Sequence, residues 1–459
     1  MAFPISRRQF LAIGSGATAA AALPGRFAAP AFGAPSRPAA RATTPHERLD
    51  ARVVAPSAAT KSDRRPMAGG VYDPRSQQTF ISWIGAASHP YVAAYSHVTG
   101  LWSAPRRVGT SPFPDAHNYP AMVQADDGAL LVFHGAHNST QRVARSSPHS
   151  VDGPWTDAEI PLAAFSSYPM PVKSDFGDIY LFYRQTSQFV DEEAFTDDRP
   201  VLYLVSRDNG RTWVRGAPDA PWAIGSAGRA DNLNEVYLGQ VRHTSAHGRS
   251  PERFHLVWTL AGGGPEVHEH DRYHRNLYYA AFHPDDEHFY NAAGTDLGTW
   301  IDGETMEAAT KAVHSELERA KPLSRDIGYT HVVGEVAGRP LLVFNTQDAD
   351  TKVINSAVWS GGDWSVHELG RDLGLLELEQ VNPAITRLYM VPRDQPVGVQ
   401  TYLLRSGRTW TAEQRIPTSS AITRASLIPG AEPQVRLILT ARSAGTEVPE
   451  ADVCVIGAH

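Results

Sequence analysis

Ser206-Arg207-Asp208-Asn209-Gly210-Arg211-Thr212-Trp213 follows directly on the apolar run Val201-Leu202-Tyr203-Leu204-Val205. The run has the length and the β-branched, aromatic composition of a strand. In the octet, the serine and aspartate side chains can bond the backbone of a tight hairpin turn, the glycine accepts a positive φ, and the tryptophan can pack between strands. This is an Asp-box, so Asp208 is expected to serve the turn and not catalysis. Strand, turn and tryptophan recur at Gly100-Leu101-Trp102, Gly153-Pro154-Trp155, Gly362-Asp363-Trp364 and Gly407-Arg408-Thr409-Trp410. Successive spacings of these tryptophans, from Trp102 through Trp213 to Trp410, are 53, 58, 151 and 46 residues, the long gap being close to three of the others. A period of about 50 with several strands per unit is the pattern of propeller blades, each of which buries its faces only against its neighbours. The expected fold is all-β: a β-propeller of seven four-stranded blades, forming a single domain over residues 66–459.

Further out, Thr79-Phe80-Ile81-Ser82-Trp83, Leu130-Leu131-Val132-Phe133, Ile179-Tyr180-Leu181-Phe182-Tyr183 and Leu341-Leu342-Val343-Phe344 share the strand texture. Residues 303–321 break it, because Glu304-Thr305-Met306-Glu307-Ala308-Ala309-Thr310-Lys311-Ala312 favours helix; they are read as a short helical insertion on one face. Residues 41–65 are polar and rich in Pro, Ala and Ser, and are read as a linker. At the N-terminus, Ser6-Arg7-Arg8-Gln9-Phe10-Leu11 precedes an apolar run to Leu23 and an Ala/Pro-rich stretch to Ala40, the order of a twin-arginine signal peptide over residues 1–40. The apolar run is too short to span a bilayer comfortably. The expectation is a protein exported already folded, periplasmic or extracellular, with no membrane span. Its single cysteine, Cys454, allows no intrachain disulfide, so the core must hold the fold. At 42% hydrophobic and 20% charged residues the chain can build that core. A net charge of −7 without a basic block argues against nucleic acid as a partner, and a monomer is expected.

Three segments look like equivalent starts of innermost strands: Asn118-Tyr119-Pro120-Ala121-Met122, Ser167-Tyr168-Pro169-Met170-Pro171 and Glu235-Val236-Tyr237-Leu238-Gly239. In a propeller such positions line the mouth of the central channel. His117 and Asn118 precede the first. His134 and His137 follow the next strand, in Phe133-His134-Gly135-Ala136-His137-Asn138, and in a hairpin a residue before one strand can meet a residue after the next. Tyr183 and Arg184 end the run Ile179–Phe182, and Arg199 precedes the run Val201–Val205. A separate cluster, His268-Glu269-His270-Asp271-Arg272-Tyr273-His274, brings imidazole and carboxylate close in sequence. It reads either as a solvated polar loop or as a structural ion site for calcium or zinc, with His270, Asp271 and His274 as ligands.

On these residues the chain resembles the BNR-repeat polysaccharide lyases, namely ulvan lyases and related rhamnose–glucuronate lyases. The likeness is carried by Asp115-Ala116-His117-Asn118-Tyr119-Pro120, by Phe133 to Asn138, by Tyr180-Leu181-Phe182-Tyr183-Arg184, by the blade from Arg199 to Trp213, and by Asn276-Leu277-Tyr278-Tyr279-Ala280-Ala281-Phe282 with His288-Phe289-Tyr290-Asn291. The resemblance implies a catalytic set of His117, His137, Tyr183, Arg199 and Tyr237, with Asn118, His134 and Arg184 at the substrate. It also implies β-elimination on an acidic, uronate-containing polysaccharide such as ulvan or gum arabic side chains, with no cofactor needed for the chemistry. That chemistry suits the residue types. The C5 proton becomes removable once a cation neutralises the neighbouring carboxylate, a role for Arg199. A base must take the proton and an acid must protonate the leaving O4, which Tyr183 and His117 can do in either order. His137 and Tyr237 would position the sugar or share proton transfer, and Asn118 could bond the carboxylate.

Two other readings stay open. A rhamnoside hydrolase on the same fold would need paired carboxylates, and Asp191, Glu192, Glu193, Asp197 and Asp198 lie near Arg199. Arg415-Ile416-Pro417 stands in the last blades and not near the first, where a sialidase would carry it. A carbohydrate-binding propeller without activity is the third reading, although a binder needs aromatics more than titratable groups. In the lyase reading, the site is expected off-centre, on three consecutive blades of the N-terminal half.

Overall fold

The computed structural model describes residues 47–186, 198–264, 269–315, 327–348, 351–394, 397–405, 409–441 and 450–458. The twin-arginine leader, the acidic residues 191–197, His268, residues 316–321 and Gly407-Arg408 lie outside them. The described residues form six sheets with antiparallel pairing throughout. Sheet I holds Gly70–Asp73, Gln78–Ile84 and Pro90–Ser96, with two short strands on its outer edge. Sheet II runs Ala121–Gln124, Leu130–His134, Arg142–Arg145 and Thr156–Glu159. Sheet III holds His137–Ser139, Ser166–Lys173, Ile179–Gln185, Val201–Ser206 and Val214–Arg215. Sheet IV begins with Glu235–Thr244, Arg253–Gly262 and Tyr273–His283, and sheet V spans Ile327–Val336 to Trp364–Arg371. Sheet VI has seven strands, from Leu373–Asn382 to Ala451–Ala458, and Leu49–Ala59 completes its edge.

That last strand corrects the reading of 41–65 as a linker over Leu49–Ala59, while residues 41–46 lie outside the described residues. Leu49 pairs with Ala458, Val53 with Cys454 and Ala59 with Ala451. Leu49, Ala55 and Ala59 are buried there. The partner lies at the other end of the chain, so nothing local marks the segment as a strand.

The Asp-box behaves as its residues dictate. Asp208 accepts from the backbone N–H of Arg211 (3.1 Å) and Thr212 (2.8 Å) and from the Thr212 hydroxyl (2.7 Å), while Ser206 Oγ accepts from Gly210 N–H at 2.8 Å. Although its slight burial works the other way, these bonds hold the Asp208 carboxyl down at about 2. Gly210 has φ +79°, and a Cβ there would lie 2.3 Å from Leu131 of sheet II. Trp213 packs edge-on against Phe133, centroids 5.6 Å apart. One turn thus ties two sheets together.

Inner strands are buried on both faces, as Leu130–His134 and Val201–Ser206 are throughout. Outer strands such as Thr156–Glu159 and Trp364–Arg371 are mostly exposed. Side chains alternate across a strand, and on Ile179–Gln185 this parity separates two cores. Ile179, Leu181 and Tyr183 join Phe133, Leu202 and Leu204. Tyr180 and Phe182 join Tyr203, Phe254 and Phe282. The helical insertion is brief: Gly303–Thr305, capped by Asp302 Oδ1 accepting from Thr305 N–H at 2.8 Å, passes into a single π-helical turn at Met306–Thr310. Strand Lys311–Val313 then joins sheet IV. Among the described residues no helix is long and apolar enough to cross a membrane.

Candidate active site

A cavity of about 350 Å³ opens where the inner strands of several sheets begin or end. His117 reaches it from the loop before Ala121–Gln124, His137 as the first residue of its strand, Arg184 from the end of Ile179–Gln185, and Tyr237 from the start of Glu235–Thr244. Arg65 follows Leu49–Ala59, Tyr329 belongs to sheet V and Arg424 to sheet VI. The cavity therefore draws on sheets from both halves of the chain. It is not confined to the N-terminal blades as expected.

One carboxylate organises the histidines. Asp115 Oδ1 accepts from His117 Nδ1 at 2.6 Å, and Asp115 Oδ2 accepts from His137 Nδ1 at 2.7 Å. The two rings stack with centroids 3.9 Å apart and planes 25° apart. An ionised carboxylate only accepts, so each Nδ1 carries a proton toward Asp115, and on His137 Nε2 is left as the basic nitrogen. Burial pushes Asp115 up, but the bonds from His117 and His137 outweigh it and hold the carboxyl below its ordinary value. Burial pushes His137 down, helped by His117 and Arg184, against the pull of Asp115. A neutral imidazole results, poised to accept a proton.

Beyond the histidines stand aromatic rings and buried cations. Tyr168 lies 5.8 Å from His117 and 6.3 Å from Tyr237, centroid to centroid. Tyr168 sits at φ +61°, in a bulge where the pairing of Ser166–Lys173 with Ile179–Gln185 shifts register. Such a conformation in a non-glycine residue costs about 1–3 kcal/mol and concentrates at functional sites. The Arg184 guanidinium lies 4.6 Å from the Tyr168 ring and 4.5 Å from the Tyr237 ring. Arg184 is only 2% exposed, yet its Nε and Nη1 have no hydrogen-bond partner. Burial opposes its charge, but Tyr168, Tyr237 and Glu235 favour it and hold its pKa above the ordinary value. Arg65 lies over the same two tyrosines and donates to the Tyr329 carbonyl at 2.6 Å. Burial pushes the Tyr237 phenol well above its usual pKa, against the pull of Arg184 and with the charge of Glu235. The arrangement combines a neutral base, a phenol that keeps its proton, and fixed positive charge: the parts needed for proton abstraction next to a carboxylate.

Of the expected site residues, His117, His137, Tyr237 and Arg184 meet at the cavity. Tyr183 does not. Strand parity turns it to the opposite face, where its hydroxyl donates to the Leu162 carbonyl at 3.2 Å and burial pushes it up to about 12. Arg199 forms part of the wall behind, 3.9 Å from Glu235 and donating to His270 Nε2 at 3.3 Å. Asn118 is buried, its amide donating to the Phe113 carbonyl. His134 is buried against Asp157 at 3.1 Å, in the interior of sheet II. The expected metal ligands do not converge. His270 turns to Glu235 (2.8 Å) and Arg199, whereas His274 bonds Asp271 at 2.5 Å between the rings of Tyr237 and Tyr329. An arginine against His270 suits a polar wall and not a cation. Asp115 was visible in the sequence only as part of a resemblance, and Tyr168 only as a strand start. Arg65, Tyr329 and Arg424 carry no local signal.

Residues 78–371 match the family described as "BNR repeat-containing family member", and residues 4–24 match the twin-arginine translocation pathway signal sequence, which indicates export. A protein of Pseudoalteromonas sp. (strain PLSV), Ulvan Lyase-PL25, is 24% identical over 66% of this chain. An ulvan lyase of Alteromonas sp. (strain LOR) is 24% identical over 62%. The chain spans 63% and 61% of the length of these two curated relatives. Among solved structures, the polysaccharide lyase PL25 ulvan lyase bound to -[GlcA(1-4)Rha3S]- superposes with a TM-score of 0.69, at 18% identity, covering 88% of this chain and 96% of that one. At that identity the likeness speaks for the fold.

Proposed function

As the chain belongs to the BNR repeat-containing family, we propose that it is an exported, monomeric polysaccharide lyase that cleaves ulvan-type, glucuronate-containing chains by β-elimination in this cavity. One observation carries the reading: a carboxylate holding two stacked, Nδ1-protonated imidazoles beside a buried arginine with two unpartnered N–H groups. A uronate carboxylate supplies what Arg184 lacks, and its neutralisation makes the C5 proton removable. His137, kept neutral by burial, takes that proton through Nε2. His117, on the same carboxylate, fixes the pair. Tyr237 keeps its proton and delivers it to the leaving O4. In this reading Arg184 takes the neutralising role expected of Arg199, and His137 and Tyr237 take the base and acid roles expected of Tyr183 and His117 in either order. Arg65 and Arg424 add positive charge for an acidic polymer.

The cavity carboxylates favour elimination over hydrolysis. Asp63 faces Arg424 (3.7 Å) and His117 (3.8 Å), and Asp271 accepts from His274 and Tyr329, so neither is placed as a protonated acid opposite a carboxylate base. The fold that fits the reading is a seven-bladed propeller. Sheet VI divides into two blades at the long strand Thr409–Leu427, whose first half pairs with Val397–Arg405 and second half with Leu437–Ala441. Strand Leu49–Ala59 would then close the ring.

The test is ulvan incubated with the purified protein, following the absorbance of the unsaturated uronate. Wild type should generate it, and His137→Ala and Arg184→Ala should lose it. New reducing ends without absorbance would instead establish hydrolysis. Neither signal on ulvan or gum arabic would leave only binding.

A further inference from the structure

Asp175, His243 and Glu252 converge at the other end of the same strands. Asp175 stands in the turn between Ser166–Lys173 and Ile179–Gln185 of sheet III, while His243 ends a strand of sheet IV and Glu252 precedes the next. Tyr168 and Tyr237 of the cavity lie seven and six residues away along those strands, about 20 Å at strand rise. The cluster is therefore separate from the cavity.

Its geometry leaves a charge unanswered. Glu252 is 2% exposed. Its Oε1 accepts from His243 Nε2 at 2.8 Å and from Asp175 N–H at 2.6 Å, while its Oε2, equally buried, has no partner. Asp175 is held in place by Ser245 Oγ on Oδ1 (2.8 Å) and by Ala246 N–H on Oδ2 (3.0 Å), with Oδ1 3.6 Å from His243 Nε2. All three donor groups lie within 4.8 Å of one another. A protonated His243 would leave the trio at net −1, with a buried carboxylate oxygen still unsatisfied. A divalent cation bound by a neutral imidazole brings the trio to zero and gives that oxygen a partner. Backbone and hydroxyl bonds that orient a carboxylate ligand are what metal sites need around them. His243 and Asp175 are partly exposed, which leaves a path for the ion and room for a water as fourth ligand.

We propose that Asp175, His243 and Glu252 bind one divalent transition-metal ion of the zinc class, stapling the turn of sheet III to the hairpin of sheet IV. One imidazole with two carboxylates suits zinc, whereas an all-oxygen set would suit calcium. In a chain with a single cysteine, such a staple does the work a disulfide would do.

The experiment uses the whole exported protein, stripped with chelator and titrated with Zn²⁺ by calorimetry and thermal melting. At a hundredfold excess over Kd the melting temperature should rise by about 3–5 °C. Glu252→Gln and His243→Gln should each lose one equivalent of bound zinc and that rise, while keeping wild-type elimination at 25 °C. His137→Ala, which alters the cavity histidines, should keep both. Two variants guard against a folding defect, because His243 is partly exposed and its replacement is tolerated more readily than that of buried Glu252. Zinc binding unchanged in both variants, or lost in His137→Ala instead, overturns the proposal. So does an equal response to Ca²⁺ that survives His243→Gln.

Discussion

Arg387 in sheet VI and Arg184 at the cavity are equally buried, at 0% and 2% exposure, but their surroundings differ. Arg387 gives Nε and Nη2 to Glu413 at 2.7 and 2.8 Å and Nη1 to Glu379 at 2.9 Å. Glu379 is shared in turn with Tyr389 and Arg436. Arg184 has no carboxylate within ion-pair distance among the described residues; it has the rings of Tyr168 and Tyr237, a side-chain bond with Tyr237 and the field of Glu235, and its Nε and Nη1 are left without a partner. Burying a charge is costly unless it is paired. In sheet VI the pairing is internal and complete. At the cavity two guanidinium nitrogens are left without a partner. The first region commits its arginine to the fold, and in the proposed function the second holds it for an anionic ligand.

The contrast can be broken experimentally. Glu379→Ala should destabilise the protein by about 3–5 kcal/mol, because it strands Arg387 without one partner; denaturant unfolding measures this, and elimination at 25 °C should persist. Arg184→Met should do the reverse, with kcat/KM on ulvan about 10²–10³ lower and thermal stability equal to or above wild type. A stability loss at Arg184 matching that at Glu379 would erase the distinction between the regions.

The pH profile sharpens it further. Because burial holds His137 below its ordinary value of 6.5, the base stays neutral to lower pH, and the acid limb of kcat/KM should fall below pH 6.5. The linked stability has the matching sign. The unfolded chain binds the proton first, so His137 costs stability as pH falls below 6.5, until the folded-state value is passed. Asp115→Asn removes a group that raises the pKa of His137, so the limb should move further to acid while kcat drops. The smallest effect is expected at Tyr183→Phe: about 0.5–1.5 kcal/mol of stability for the lost bond to Leu162, and turnover within about twofold of wild type. A large loss of turnover there would return Tyr183 to the chemistry.

Tyr183 and Arg184 also show where reading the sequence stopped. Adjacent residues on a strand face opposite ways, so one of the two had to point to the cavity. Which one depended on the core that each face of Ile179–Gln185 meets, and both faces are apolar. The linker reading missed Leu49–Ala59 for a related reason: that segment is a strand only because Ala451–Ala458 lies beside it. His117 and His137 were legible because a hairpin brings them together over a short separation, and Asp115 is close enough in sequence to hold both.

Short-range patterns settle what depends on neighbours in sequence. Strand texture, the Asp-box with its positive-φ glycine, the twin-arginine leader and the histidine pair are all of this kind. Each rests on backbone preference or side-chain chemistry acting over a few residues. The cavity is of another kind. Tyr168 and Arg184 of sheet III, Tyr237 of sheet IV, Tyr329 of sheet V and Arg424 of sheet VI meet there with Arg65 from the loop after Leu49–Ala59. They share one volume because packed sheets bring the ends of their inner strands together. An arginine becomes a binding group and not a structural one through which partners the fold withholds from it, and that is settled only once every sheet is in place.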